Sequence, residues 1–126
     1  MGKAEEKFNI STEIRAILLD SPEIKELVGT KVYPLVAPQD TPGDFIIYQR
    51  DRYMIERNKM GYTSQKCEVY INAVCDNYDR SKQLALLIFE ALDGEFSNPN
   101  MTIHLEDATE DYVDGKYIQV LLFSIV

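Results

Sequence analysis

Tryptophan is absent from this sequence, histidine occurs once and cysteine twice in 126 residues. His104 is the single histidine and stands in a predicted strand with no serine or cysteine motif near it, so no nucleophile–histidine pair can be read from spacing. Cys67 and Cys75 fall on one predicted strand, which sets their α-carbons about 26 Å apart at roughly 3.3 Å per residue. A disulfide needs them within about 7 Å, so both are expected as reduced, buried thiols. Glycines are few and scattered, which excludes a phosphate-cradling loop. No apolar run approaches the roughly 20 residues that span a bilayer, and no membrane partner is expected. Met1 to Lys7 is charged and lacks a hydrophobic segment, so a secretory leader is not expected. Glu6 stands where a myristoylation start wants Ser or Thr. Synthesis in the cytoplasm follows as the expectation, and the triplets Asn9-Ile10-Ser11 and Asn100-Met101-Thr102 then carry no glycan. Positive charge is also scarce: 13 Lys and Arg against 21 Asp and Glu give a net charge of −8. Gripping nucleic acid needs a basic face, so sequence-specific nucleic-acid binding is not expected.

What is present is organised around residues 66 to 94. Cys67, Val69, Ile71, Ala73 and Cys75 alternate with Lys66, Glu68, Tyr70 and Asn72, the period of a strand with one buried face. Asp76-Asn77-Tyr78-Asp79 breaks the strand, and Asp79 is the candidate helix cap. Leu84, Leu87, Ile88, Ala91 and Leu92 then recur at helical spacing, a stripe wide enough to cover a sheet. Gly94 is expected to end the helix in the left-handed conformation.

The rest reads outward from that core. Residues 1 to 9 are expected as a flexible tail. Ser11 or Thr12 is placed to cap a first helix with Ile10, Ile14, Ile17 and Leu18 on its apolar face. Ser21 caps and Pro22 starts a second, short helix burying Ile24, Leu27 and Val28, and Gly29 stops it. Lys31 to Leu35 makes a brief strand before a proline-punctuated loop. Phe45 to Gln49 is an apolar, β-branched and aromatic run suited to the sheet centre. The chain can continue as strand to Met54 or Ile55, turn at Asn58 to Gly61 and return into Lys66, a long hairpin with an exposed tip. Ser97 to Asn100 is a turn, Met101 to His104 begins a strand, and Asp114-Gly115 signals a tight I′ hairpin. Its partner, Lys116 to Val126, is a hydrophobic strand that pins its end into the sheet. Residues 1 to 126 therefore read as one α+β domain, a largely antiparallel sheet of about four to six strands with N-terminal and central helices on one face.

Charge is uneven along this chain. Residues 50 to 66 hold Arg50, Arg52, Arg57, Lys59 and Lys66 against Asp51 and Glu56, and Tyr53, Met54, Met60 and Tyr62 lie among them. Residues 105 to 115 hold Glu106, Asp107, Glu110, Asp111 and Asp114 with no base, and without the rhythm of a calcium loop. Two solvated loops would account for this. The sharper reading is that copies of the chain meet head to tail through these complementary patches. An acidic surface would also let DNA pass a wall without sticking.

Val32-Tyr33-Pro34-Leu35-Val36-Ala37-Pro38-Gln39, preceded by Leu27-Val28-Gly29 and followed by Pro42 and Phe45-Ile46-Ile47-Tyr48-Gln49, resembles the start of small tail-completion proteins of long-tailed bacteriophages. The turn Asn77-Tyr78-Asp79 and the helix ending Ala91-Leu92-Asp93-Gly94 match that family's layout too. The resemblance runs from Ile14 to Val126. It implies a structural virion protein, similar in fold to tail terminators, which forms a ring of usually six copies at the head-proximal end of the tail tube. Its partners would be itself, the tube and head-completion proteins. No enzymatic turnover, cofactor, metal or small-molecule substrate is implied. Two other classes fit the residues alone. One is a cytosolic adaptor that binds a partner through the same hairpin. The other is an enzyme or ligand-binding domain with a site built from the loop 36 to 44 and Asp44, which a deep cleft with a perturbed acid near His104 would mark.

Overall fold

The computed structural model describes residues 10–38, 41–57, 63–97 and 100–126; for 51–57, 63–66 and 100 it describes the backbone. The expected tail 1–9, the hairpin tip at 58–62 and the turn residues 98–99 lie outside the described residues. In chain order the elements are α1 (Ile10–Asp20), α2 (Pro22–Val28), β1 (Val32–Pro34), β2 (Phe45–Arg57), β3 (Thr63–Cys75), α3 (Tyr78–Leu92), β4 (Gly94–Ser97), β5 (Asn100–Val113) and β6 (Lys116–Ile125). One six-stranded sheet has the order β1-β2-β3-β6-β5-β4. Every pairing is antiparallel except β1 with β2. The architecture is α+β, as the alternation and helical stripes required.

The buried face follows the sequence pattern closely. Cys67, Val69, Ile71, Ala73 and Cys75 are all fully buried, and they meet Leu84, Ile88 and Leu92 of α3 and Ile14, Leu18, Ile24 and Val28 of α1 and α2 in one core. Val74 departs from the one-face expectation. It is buried on the opposite side, opposite Phe45 on β2 and Ile118 on β6, where three apolar neighbours in register shield one another.

The ends of the helices correct three readings. Ile10 is already helical, so Ser11 and Thr12 sit inside the first turn of α1 and do not cap it. Asn77 caps α3, its side-chain oxygen accepting the Arg80 amide at 3.1 Å, and Asp79 is the second helical residue, within the first turn. There its charge still favours the positive end of the helix dipole. At the other end Asp93, in extended conformation, closes the helix through its amide to the Phe89 carbonyl. Gly94 has φ 137°, a conformation that suits glycine, but uses it to open β4 rather than to cap the helix in the αL region. The short helix α2 conforms: Ser21 Oγ accepts from Ile24, Pro22 starts it, and Gly29 at φ 64° ends it.

Phe45 to Gln49 is not central but one strand in from the edge, because the three-residue β1 adds outside it. The centre belongs to β3 and β6. The hairpin β2–β3 is longer than expected and pairs as far as Arg57 with Thr63. Strand β4, four residues between the helix and a turn, carries too short an alternation to be read from sequence. Asp114 at φ 51° and Gly115 at φ 80° form the expected I′-type turn. Thr102 and Val126 exchange backbone hydrogen bonds at 3.0 Å, which holds the last residue to the sheet.

Candidate self-assembly surface

The basic segment forms an arm. β2 carries a bulge between Arg50, opposite Val69, and Arg52, opposite Glu68. The pairs Met54 with Lys66, Ile55 with Gln65, Glu56 with Ser64 and Arg57 with Thr63 all lie beyond Cys67 with Ile125, the last β3–β6 pair. Four rows at roughly 3.3 Å each project the arm about 13 Å past its neighbour strand. Arg50 lies half-buried at the base of that arm. Tyr53 stands in register opposite Cys67, while Lys59, Met60 and Tyr62 lie outside the described residues.

The acidic segment is not a solvated loop but strand, the exposed flank of the β5–β6 hairpin. β5 runs unbroken through it to Val113, with its own bulge at Glu106 between Leu105 and Asp107. Most of its carboxylates are already engaged within the chain. Glu106 accepts from Ser124 Oγ at 2.6 Å and Asp107 from the Ala108 amide at 2.9 Å. Asp111 accepts from the Tyr112 amide at 2.8 Å. Glu110 accepts from Gln119 Nε2 at 2.8 Å, and that bond, with a second from the Tyr78 phenol, holds its carboxyl below the usual range. The Tyr78 hydroxyl is correspondingly pushed up, first by its hydrogen bond to Glu110. Tyr117 stacks obliquely on Tyr78 and Tyr112 at 5.8 and 4.8 Å between ring centres.

The fold does not bring the two segments together within one chain. β2 and β6 run in one direction and β3 and β5 in the other, so the β2–β3 arm leaves one end of the sheet and the Asp114-Gly115 turn the other. Large apolar side chains are exposed beside both. Leu35 and Val36, 62% and 74% exposed, follow β1, and Tyr112 and Val113, 59% and 46% exposed, end β5.

The second sequence candidate, Asp44 with the preceding loop, is a structural lock. Asp44 is buried and accepts Arg80 Nε at 2.8 Å, Arg80 Nη2 at 3.2 Å and the Asp76 amide at 3.2 Å. Burial pushes its carboxyl up, but Arg80, the Asp76 amide and the Cys75 thiol together outweigh it and hold it below the usual range. Cys75 responds oppositely: burial first, then the Asp44 charge, push its thiol up to about 12. Lys116 Nζ completes the cluster on Asp76 and on the Gly43 carbonyl at 3.0 Å. Arg80 is 36 residues from Asp44 and Lys116 is 40 from Asp76, so no periodic or motif signal could have announced this cluster.

His104 is exposed and sits opposite Ser124, toward the other end of the sheet from Asp44. A shallow groove of about 450 Å³ does open on the helix-free face, lined by Gln49, Tyr70, Asn72, Asp107, Thr109, Val120 and Leu122. Its walls are neither His104 nor Asp44. Among the described residues no group of His, Cys, Asp and Glu could hold a metal ion, and no helix is long and apolar enough to cross a membrane.

No protein-family model matches the chain, and no curated protein matches it. Among solved structures it is similar to a chain of the virion of a native gene transfer agent (GTA) particle, with a TM-score of 0.67 and 19% identity over 90% of each chain. At that identity the likeness establishes a shared fold.

Proposed function

We propose that this chain is a structural protein of a phage-like particle, a tail-completion or terminator subunit that closes the head-proximal end of a tail as a ring and joins it to the head. The observation that carries the reading is the fold held in common with a gene transfer agent virion chain across 90% of both chains. The Val-Tyr-Pro and Ala-Pro-Gln segments, which resemble tail-completion proteins, point the same way from the sequence side. The role is non-enzymatic and needs no cofactor. Its partners are further copies of itself, six in the arrangement the resemblance implies, together with tail-tube and head-completion proteins. The protein is made in the bacterial cytoplasm and resides in the tail of the virion.

The surface proposed for self-assembly comprises Arg50, Arg52, Tyr53, Met54, Arg57, Lys59, Met60 and Tyr62 of the basic arm. On the neighbouring copy it comprises Glu106, Glu110 and Asp111 of β5. A contact between unlike patches repeats from copy to copy and closes when the rotation per copy divides a full turn. Light scattering over a concentration series, with electron microscopy of the same samples, is expected to show closed rings of uniform size. Deleting the gene in the producing cell is expected to leave overlong tails detached from heads. Normal particles from that deletion would overturn the reading.

A further inference from the structure

The two borders of the sheet are stepped, and the steps match. β1 covers β2 only from Ile46 to Tyr48, so from Arg52 to Arg57 the outer side of β2 carries no strand among the described residues. β4 covers β5 only from Asn100 to Ile103, so from Asp107 to Val113 the outer side of β5 is likewise without a strand. Following the register across the sheet gives the relative heights. Pro34, Tyr48, Ile71, Leu121 and Ala108 form one continuous row. Tyr53, Cys67, Ile125, Ile103 and Gly94 form another. Thus β1 projects from one border at the height where the other border is vacant, and β4 projects from the other at the height where the arm is vacant.

We infer that copies of this chain join side by side through these borders, β4 of one copy lying along the open half of β2 in the next, and β1 of that second copy along the open half of β5 in the first. The inference rests on the ring reading and specifies its contact. An unpaired strand edge such as the open half of β2 offers a row of amides and carbonyls that β4 of a second chain can complete. The β1 half of the junction is instead a side-chain contact, because the Val32 amide is held by the Thr30 carbonyl, the Val32 and Pro34 carbonyls accept from Arg15 Nε and the Val36 amide, and Pro34 has no N–H. Two of the outward amides on β5, those of Ala108 and Tyr112, are held by the neighbouring carboxylates of Asp107 and Asp111. That arrangement covers the edge with negative charge while the chain is alone, one of the ways native sheets avoid indiscriminate pairing. The partner edge answers at the step with Arg52. At the step, Arg52 of one copy stands two strand spacings across and two rows along from Asp107 of the next, about 12 Å between backbones, a span that an arginine and a carboxylate extended toward each other can bridge. The exposed Leu35 and Val36, which follow β1, lie at the step and are enclosed by the same junction.

The test uses the full chain carrying Pro34→Cys together with Ala108→Cys, two exposed positions that share a row and that the junction makes neighbours. Cys67 and Cys75 are buried and stay out of the reaction. After oxidation and denaturation without reductant, the double variant is expected to give a ladder of covalent oligomers ending at the ring's copy number. Each single variant is expected to stop at dimer. A ladder from Arg57→Cys with Glu110→Cys instead would mean that the arm slides along the acidic strand, which overturns the stepped fit and keeps the ring. Rings by electron microscopy with no ladder from either pair overturn edge pairing altogether. A wild type that forms no rings, in solution or in particles, would remove the ring reading itself.

Discussion

Asp44 shows how a single carboxylate can fix the junction of three elements. It sits just before β2, yet its oxygens hold the first turn of α3 through Arg80 and the end of β3 through the Asp76 amide. Asp44→Asn keeps the shape and loses the charge, and is expected to cost about 1–3 kcal/mol, read from the midpoint of urea unfolding. The upper part of that range is discounted because Arg80 is 45% exposed and screened by solvent. The sign with pH is fixed by the direction of the shift. A carboxyl held below its ordinary 3.8 contributes stability that is complete above that value and is lost as pH falls through the lower, folded one. The wild type is therefore expected to lose this contribution below about pH 4, and Asp44→Asn to show a shallower acid limb. Cys75 works at the alkaline side. Its thiol, raised to about 12, contributes stability that is present below the ordinary 9.0 and is lost as pH climbs through the window between them.

At the level of elements, the helix caps separate signals that look alike in sequence. Asn77 and Asp79 both belong to the side-chain types that cap helices, but Asn77 alone is extended, at φ −127° and ψ 135°, with its oxygen on the Arg80 amide. Asn77→Ala is expected to lower stability by about 1 kcal/mol, whereas Asp79→Ala should lose only a few tenths from the helix dipole. Parallel urea titrations of the two variants decide it, and equal losses would mean that the cap has been misplaced. The strands show the same division. Alternation revealed β3 and β6 because each has a long buried face. It gave no warning of β4, nor of the extension of β5 through its acidic run. In β5 the inward positions after Ile103 and Leu105 are Ala108, Glu110 and Tyr112, a row with no hydrophobic period. Glu110 stays within the strand because Gln119 and Tyr78 supply the donors it needs.

For the whole molecule, the separation of basic and acidic arms to opposite ends of one sheet makes assembly an electrostatic as well as a shape problem. Arg52→Glu is expected to weaken the rings, and adding Asp107→Lys, the acid nearest to it across the step, to restore part of the assembly. Wild-type rings should also loosen as salt rises past the point where the Debye length falls below about 10 Å. Rings that form from the reversed protein with unchanged salt dependence would exclude this surface. Rescue has a built-in limit, because Asp107 also holds the Ala108 amide and its replacement releases that bond. The net charge of −8 leads to a further expectation, no measurable duplex DNA binding at moderate salt.

The sequence by itself determined the class of the molecule, its core strand and covering helix, the short capped helix and the I′ turn at Asp114-Gly115. Each of these depends on interactions between residues a few positions apart: a period of two or 3.6, a cap three residues from its amide, a glycine at positive φ. Only the tertiary structure decided what depends on distant residues. It placed Phe45 to Gln49 beside an edge, buried Val74 on the second face and turned Asp44 from a candidate site into a lock with Arg80. It also showed that the charged segments are strands at opposite ends and that the sheet has two stepped borders. Strand order and register across a six-stranded sheet are set by which faces must be buried together. That is a property of pairs remote along the chain, and no local pattern encodes it.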